Sequence, residues 1–334
     1  MQMTSDGETK RLSILQVNTN DLKGGAAKST WSLFQNYKRK GMNSWLAVGS
    51  KKSQDNNVFT IQNEQNRSVM YRFLNASNKA AYERHGNKGL FNLCRKLARI
   101  VSEPRRSVEI WKGIEDFHFP GTNNLLSMCP QIPDVIHCRN LHGRYFDLRV
   151  LPHISSKIPT IITLADAWLL SGHCAHSLEC DRWISGCGSC PDLARYPSIR
   201  KDRTRKNWLR KKGIFQHSRY YVTSASEWMI NKVKQSILME GAVDVRVIPN
   251  GIDLSCFQPK EKKALRQSLN IPGESIVLLF AANGIKKNIY INYALLRNVL
   301  EILNAKKFTE NLHFIALGET ETSEQLERIG LNFI

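Results

Sequence analysis

Two stretches of the chain set polar, proton-handling side chains immediately after apolar runs of strand character. In Pro133-Asp-Val-Ile-His-Cys-Arg-Asn-Leu-His-Gly-Arg-Tyr-Phe-Asp147, Asn140 and His142 follow the run 135–138. In Thr163-Leu-Ala-Asp-Ala-Trp168, Asp166 and Trp168 follow the run 160–164. A polar side chain just past the carboxyl end of a parallel strand meets a ligand crevice and not the core. There Asp166 can accept hydrogen bonds from ligand hydroxyls, and Trp168 can stack on a ring face. The plainer reading is a structural histidine, a loop cap and a core aromatic.

A third stretch, Asn20-Asp-Leu-Lys-Gly-Gly-Ala-Ala-Lys-Ser-Thr30, joins a strand to a helix. The paired Gly24 and Gly25 allow close backbone approach, and the free N–H groups of a helix start attract phosphate. Lys23-Gly-Gly-Ala-Ala-Lys-Ser29 also approaches a variant P-loop with Lys28 as its second lysine. Ala27 stands there where a phosphate cradle wants glycine, and no later strand supplies a magnesium-holding aspartate. A simple tight turn is the other alternative.

Cys174, Cys180, Cys187 and Cys190, half of the eight cysteines, are separated by five, six and two residues. Four thiolates so spaced can surround one zinc ion tetrahedrally, and the Cys187/Cys190 spacing is a common knuckle. His173 and His176 are substitutes for one thiolate; an iron–sulfur cluster shares the spacing, and unligated reduced thiols are the plain alternative.

Lys and Arg number 48 against 29 Asp and Glu, a net charge of +19. This balance expects a polyanionic partner. Eight basic residues lie between Arg200 and Lys212, with Ile199, Trp208, Leu209 and Ile214 nearby, which reads as a membrane-surface helix or as a solvated face. No nucleic-acid-binding motif accompanies the charge, so nucleic acid is not an expected partner. The absence of an apolar run of spanning length and of a signal-type leader gives a cytoplasmic expectation, peripheral at the inner face of the plasma membrane.

The elements that must hold these residues alternate. Leu12–Val17, a helix whose Ala27, Trp31, Phe34 and Tyr37 share one face, and Ser44–Val48 open a parallel sheet. Residues 63–106 read as helical and basic. Strands at 134–138 and 160–164 flank a helix at 146–151; a basic helix covers 198–212, and 220–223 and 245–248 complete the first unit. After the proline-bearing stretch 249–273, strands at 276–281 and 312–317 around a helix at 293–303 begin a second α/β unit. The expectation is two Rossmann-like domains: residues 10–255 with a cysteine-rich insertion at 172–191, and a partial domain at 256–334.

Taken in chain order, Phe119-Pro-Gly-Thr122, Val135-Ile-His-Cys-Arg-Asn-Leu-His-Gly143, Leu164-Ala-Asp-Ala-Trp168 with its cysteines, and Val247-Ile-Pro-Asn-Gly-Ile-Asp253 ahead of Phe257-Gln-Pro259 form a pattern. It resembles the family-4 glycosyltransferases, retaining GT-B-type enzymes of bacterial polysaccharide assembly, over most of residues 12–320. The resemblance implies transfer of a sugar from a nucleotide-diphosphate donor to a saccharide or lipid-linked acceptor, with no catalytic metal. By it, Gly24 and Gly25 lie near the donor diphosphate; Asn140, His142, Asp166 and Trp168 line the acceptor side; Lys286 and Lys287 offset the charge of the departing diphosphate.

Three departures accompany the likeness. Asn283-Gly-Ile-Lys-Lys287 stands where the family sets an arginine and a lysine a few residues apart, and Ala165 stands where it often has histidine. The family's two later glutamates, seven residues apart, have no counterpart before Ile334. The chain therefore reads as a C-terminally truncated transferase, the alternatives being a catalytically inactive remnant that binds an acceptor or partner enzyme and, behind it, a P-loop ATPase.

Overall fold

Ser13-Ile-Leu-Gln-Val17 lies wholly buried in the first strand, as an interior strand of a parallel sheet covered on both faces must. The computed structural model describes residues 11–281, 292–306, 312–317 and 332–333. In chain order its elements are β1 (Ser13–Asn20), α1 (Gly25–Arg39), β2 (Asn43–Ser50), β3 (Val58–Thr60), α2 (Val69–His85), α3 (Lys88–Ser102), α4 (Pro104–Trp111), β4 (Val135–Cys138), α5 (Leu151–Lys157) and β5 (Thr160–Leu164). They continue with α6 (Thr204–Gln216), β6 (Tyr220–Ser224), α7 (Glu227–Lys234), β7 (Ala242–Val247), α8 (Lys262–Ser268), β8 (Ile276–Ala281), α9 (Tyr293–Ala305), β9 (Leu312–Leu317) and β10 (Asn332–Phe333).

The chain divides into two compact units at Gly251/Ile252. The first holds a seven-stranded sheet of order β3-β2-β1-β4-β5-β6-β7, parallel throughout. The α/β class expected from the alternation is what the structure has. In a doubly wound sheet the order reverses where the chain returns from one side to the other, here between β1 and β4, and the crevice outside those strand ends is where ligands bind. Leu15, Val17, Ile136, Cys138, Ile162 and Val222 form the middle of the core.

Local signals set the helix starts. The Ser68 hydroxyl accepts from Tyr71 N, the Asn87 side chain from Leu90 N and the Ser226 hydroxyl from Met229 N, each capping the helix that follows. Two expected helices shift. Instead of 146–151, a 3₁₀ turn at Leu148–Val150 leads into α5, because Asp147 accepts from Arg149 N and starts the turn there. The basic helix begins at Thr204, not Ser198, where Asp202 takes both Thr204 N and its hydroxyl.

The second unit is described by itself. Its sheet has order β10-β9-β8, also parallel, and α9 brings Leu300 against Leu312, with Phe280, Leu296 and Leu303 around them. Lys286 and Lys287 lie outside the described residues.

Candidate functional site

The end of β1 anchors the loop after β4. Thr19 Oγ1 lies 3.1 Å from the Asn140 carbonyl and 3.0 Å from that of His142, donating to these acceptors, and the Tyr145 hydroxyl donates to Asn140 O at 2.6 Å. Gly143 sits at φ +106°, and a Cβ there would lie 2.8 Å from Thr19 Cγ2, so both backbone angle and space demand glycine. Phe119-Pro-Gly-Thr122 acts as a buckle for the same loop: Gly121 N donates to Asn63 Oδ1, Asn63 Nδ2 to Tyr145 O, and Asp147 N to Thr122 Oγ1. Buried Asp21 fixes the neighbouring loop by accepting Lys52 N and Ser53 N; these bonds hold its carboxyl below the usual carboxylate range against the opposing pull of burial.

On this frame His142 and Asp166 meet. His142 Nε2 is 2.7 Å from Asp166 Oδ2, with the imidazole 9% and the carboxylate 26% exposed. An ionised carboxylate only accepts, so Nε2 carries the proton, and the Tyr196 hydroxyl lies 3.4 Å from Nδ1. The other oxygen of Asp166 accepts Trp168 N at 2.9 Å. A carboxylate-oriented imidazole can bind a hydroxyl in a fixed direction and take up its proton.

Trp168 is a buried wall of the site and not a free stacking platform. Its Nε1 donates to Glu115 Oε1 at 2.6 Å, and the Lys211 ammonium stands 3.9 Å from its ring centroid. Lys211 is fully buried; it pairs with Glu115 Oε2 at 2.9 Å and donates to the carbonyls of Trp168 and Ser171. Burial lowers the Lys211 pKa, and Glu115 opposes that pull. Of the apolar residues in the basic stretch, Trp208 lies in the core and Ile214 packs against it, while Leu209 is half-exposed.

Beside the pair opens a cleft of about 540 Å³. His142 and Trp168 line it together with six arginines, Arg67, Arg95, Arg99, Arg106, Arg144 and Arg200, against Glu64, Glu115 and Asp116. Arg67 and Arg106 are tied to Glu103, and Arg106 also to Asp116, so these guanidiniums are fixed structural charges. Arg144 and Arg200 are exposed. Asn140 Oδ1 is buried without a hydrogen-bond partner among the described residues.

At the other side of the switch point α1 starts at Gly24, φ +88°, with no side chain capping it and no acid in its first turn. A Cβ at Gly24 or Gly25 would meet nothing within 4 Å, so no side chain crowds this helix start, the kind of end an anion can approach. Arg139, 7% exposed, reaches α1 by donating to Ser29 Oγ at 3.0 Å, and Ser29 Oγ in turn donates to Asn250 Oδ1 at 3.1 Å.

Cys174, Cys180, Cys187 and Cys190 line one void of about 30 Å³ with His173, whose Nε2 is 3.4 Å from Cys190 Sγ. Burial pushes the Cys187 thiol up to about 12 and raises Cys174 and Cys190. Among the described residues no group of three or more His, Cys, Asp or Glu is placed to hold a metal ion. His176 stacks at 5.9 Å on Trp228 instead of facing the thiols.

Of the expected site residues, His142, Asp166 and Trp168 come together, Asn140 lies behind them in the same loop, and Gly24 and Gly25 form the separate helix start. Sequence reasoning did not assign Glu115, Lys211, Arg139, Tyr196 or the cleft arginines to this site; the basic character of residues 63–106 and of the run from Arg200 to Lys212 pointed to part of that set.

No family model matches the chain. The Escherichia coli (strain K12) protein WcaC, named as a glycosyl transferase of colanic acid biosynthesis, is 24% identical over 254 residues, covering 73% of this chain and 55% of WcaC. The chain thus spans little more than half the length of that relative. Similar solved structures include Anabaena Alr3699/HepE in complex with UDP and glucose, 13% identical, covering 97% of this chain and 69% of that one at TM-score 0.45. Another is WaaG, a glycosyltransferase involved in lipopolysaccharide biosynthesis, 12% identical, covering 96% and 69% at TM-score 0.48.

Proposed function

We propose that this chain is a glycosyltransferase of the retaining, family-4 type, moving a sugar from a nucleotide-diphosphate donor to a saccharide or lipid-linked acceptor. The observation that carries the reading is the His142–Asp166 pair, 2.7 Å apart at the strand ends beside an arginine-lined cleft. The likeness to WcaC supports it independently. In this reading the open start of α1 at Gly24 and Gly25 faces the donor diphosphate, whose growing negative charge N–H groups stabilise without a metal. His142 and Asp166 orient acceptor hydroxyls, Trp168 backs them, and the arginines suit an acceptor that carries phosphate or carboxylate.

Calorimetry with a panel of nucleotide-diphosphate sugars, followed by an assay of nucleoside diphosphate release, tests this. Donor binding and turnover are expected, with His142→Ala lowering kcat/KM by about 100-fold or more while the protein stays folded. A folded chain with neither donor affinity nor turnover overturns the reading in favour of a binding protein. Product anomers resolved by NMR test retention, and inversion removes the family-4 assignment.

A structural zinc on Cys174, Cys180, Cys187 and Cys190 is a separate proposal, supported by the void these thiols share. Elemental analysis of anaerobically purified protein is expected to find about one zinc per chain; zinc-free folded protein overturns it.

A further inference from the structure

The helix α3 is built inside out. Leu90, Leu93, Leu97, Ile100 and Val101 recur at helical spacing on one face, and each is between 44% and 56% exposed. The side that packs holds Ala98, its one buried residue, and Phe91, whose ring lies 4.9 Å from that of Tyr82 on α2. A soluble helix ordinarily turns such a face to the core. Apolar exposure continues on the adjoining elements through Val108 and Trp111 of α4 and Val69, Met70 and Phe73 of α2, forming the kind of patch that marks an interaction surface.

The charge around the patch selects its partner. Across α3 stand Lys88, Arg95, Lys96 and Arg99 and no acidic residue. On α4, Arg105 is 93% exposed and pairs with Glu109 at 3.6 Å, and Lys201 lies 3.5 Å above the Trp111 ring. Leucines flanked by lysine and arginine suit a surface that is apolar within and negative at its rim. A second copy of the same face would bring like charges together, which disfavours self-association through it.

We infer that α3, with the adjoining ends of α2 and α4, is a docking surface for an anionic lipid bilayer, its leucines entering the headgroup boundary and its basic residues meeting lipid phosphates. This stands independently of the proposed sugar transfer.

Co-sedimentation of the whole chain with vesicles of about 30 mol% phosphatidylglycerol in phosphatidylcholine, compared with phosphatidylcholine alone, tests it. Binding to the anionic vesicles, weakened by rising salt, is expected. The pair Leu93→Ser/Leu97→Ser should lower the partition coefficient about tenfold or more, and Leu93→Phe/Leu97→Phe should retain it. Because these side chains are half-exposed, circular dichroism and the thermal midpoint should match the parent; a serine pair that unfolds is replaced by Lys88→Gln/Lys96→Gln, for which about tenfold weaker binding to anionic vesicles is expected. Failure of the parent to bind, unchanged binding in the folded variants, or a dimer that the serine pair dissociates without loss of vesicle binding each overturns the inference.

Discussion

His137 is buried in β4 with Nε2 2.6 Å from Thr163 Oγ1, which lies 2.6 Å from Thr223 Oγ1, so one polar ladder crosses β4, β5 and β6. Burial, reinforced by the nearby Arg139 charge, pulls its pKa down to about 3 from an ordinary 6.5. The unfolded chain therefore binds the extra proton first, and stability that is full above about pH 6.5 drains as pH falls toward 3. Between pH 7 and pH 5 this one group should cost about 2 kcal/mol. Urea unfolding at both values is expected to show that loss in the parent and not in His137→Gln; identical pH dependence would refute the assignment. At this scale His142 and Asp166 were legible because each follows an apolar strand directly. Glu115 and Lys211 were not, because a buried charge looks like a surface charge until its distant partner is known.

Among elements, α6 is tied to the segment after α4 by the Lys211–Glu115 pair, and Glu115 also orients the Trp168 indole in the loop after β5. Removing one partner leaves the other charge buried alone, so Glu115→Leu should destabilise by about 3–5 kcal/mol. Replacing both, as Glu115→Gln/Lys211→Met, should recover most of that in thermal or urea unfolding; equal losses would argue against coupling. The loop after β4 makes a second element-scale prediction: Gly143→Ala meets both the positive φ and Thr19, costing about 2 kcal/mol. Unaltered unfolding in that variant would show that the loop relaxes freely. Strands were readable because interior parallel strands are unbroken apolar runs, whereas the helix near 146–151 was set too early since its start depends on Asp147 and not on periodicity. The outward face of α3 was unreadable in kind: periodicity finds an apolar stripe but not which way it points.

At the scale of the molecule, residues 248–261, across the Gly251/Ile252 division, carry no helix or strand and expose Ile252, Leu254 and Phe257. Limited trypsin digestion is expected to cut first near Lys260 and to leave the first unit as the resistant fragment; protection of this stretch would contradict it. Net charge raised the expectation of an anionic partner without naming a face, because composition holds no positions and the basic run most visible in the chain is partly internal. The helix with the outward leucines also lends Arg95 and Arg99 to the cleft wall. A chain lying on lipid through α3 would keep that cleft within about one helix diameter, roughly 10 Å, of the headgroups. Catalysis on a lipid-borne acceptor would then become a two-dimensional encounter. Its rate would follow molecules per unit area, falling when inert lipid dilutes the acceptor and holding steady when buffer is added.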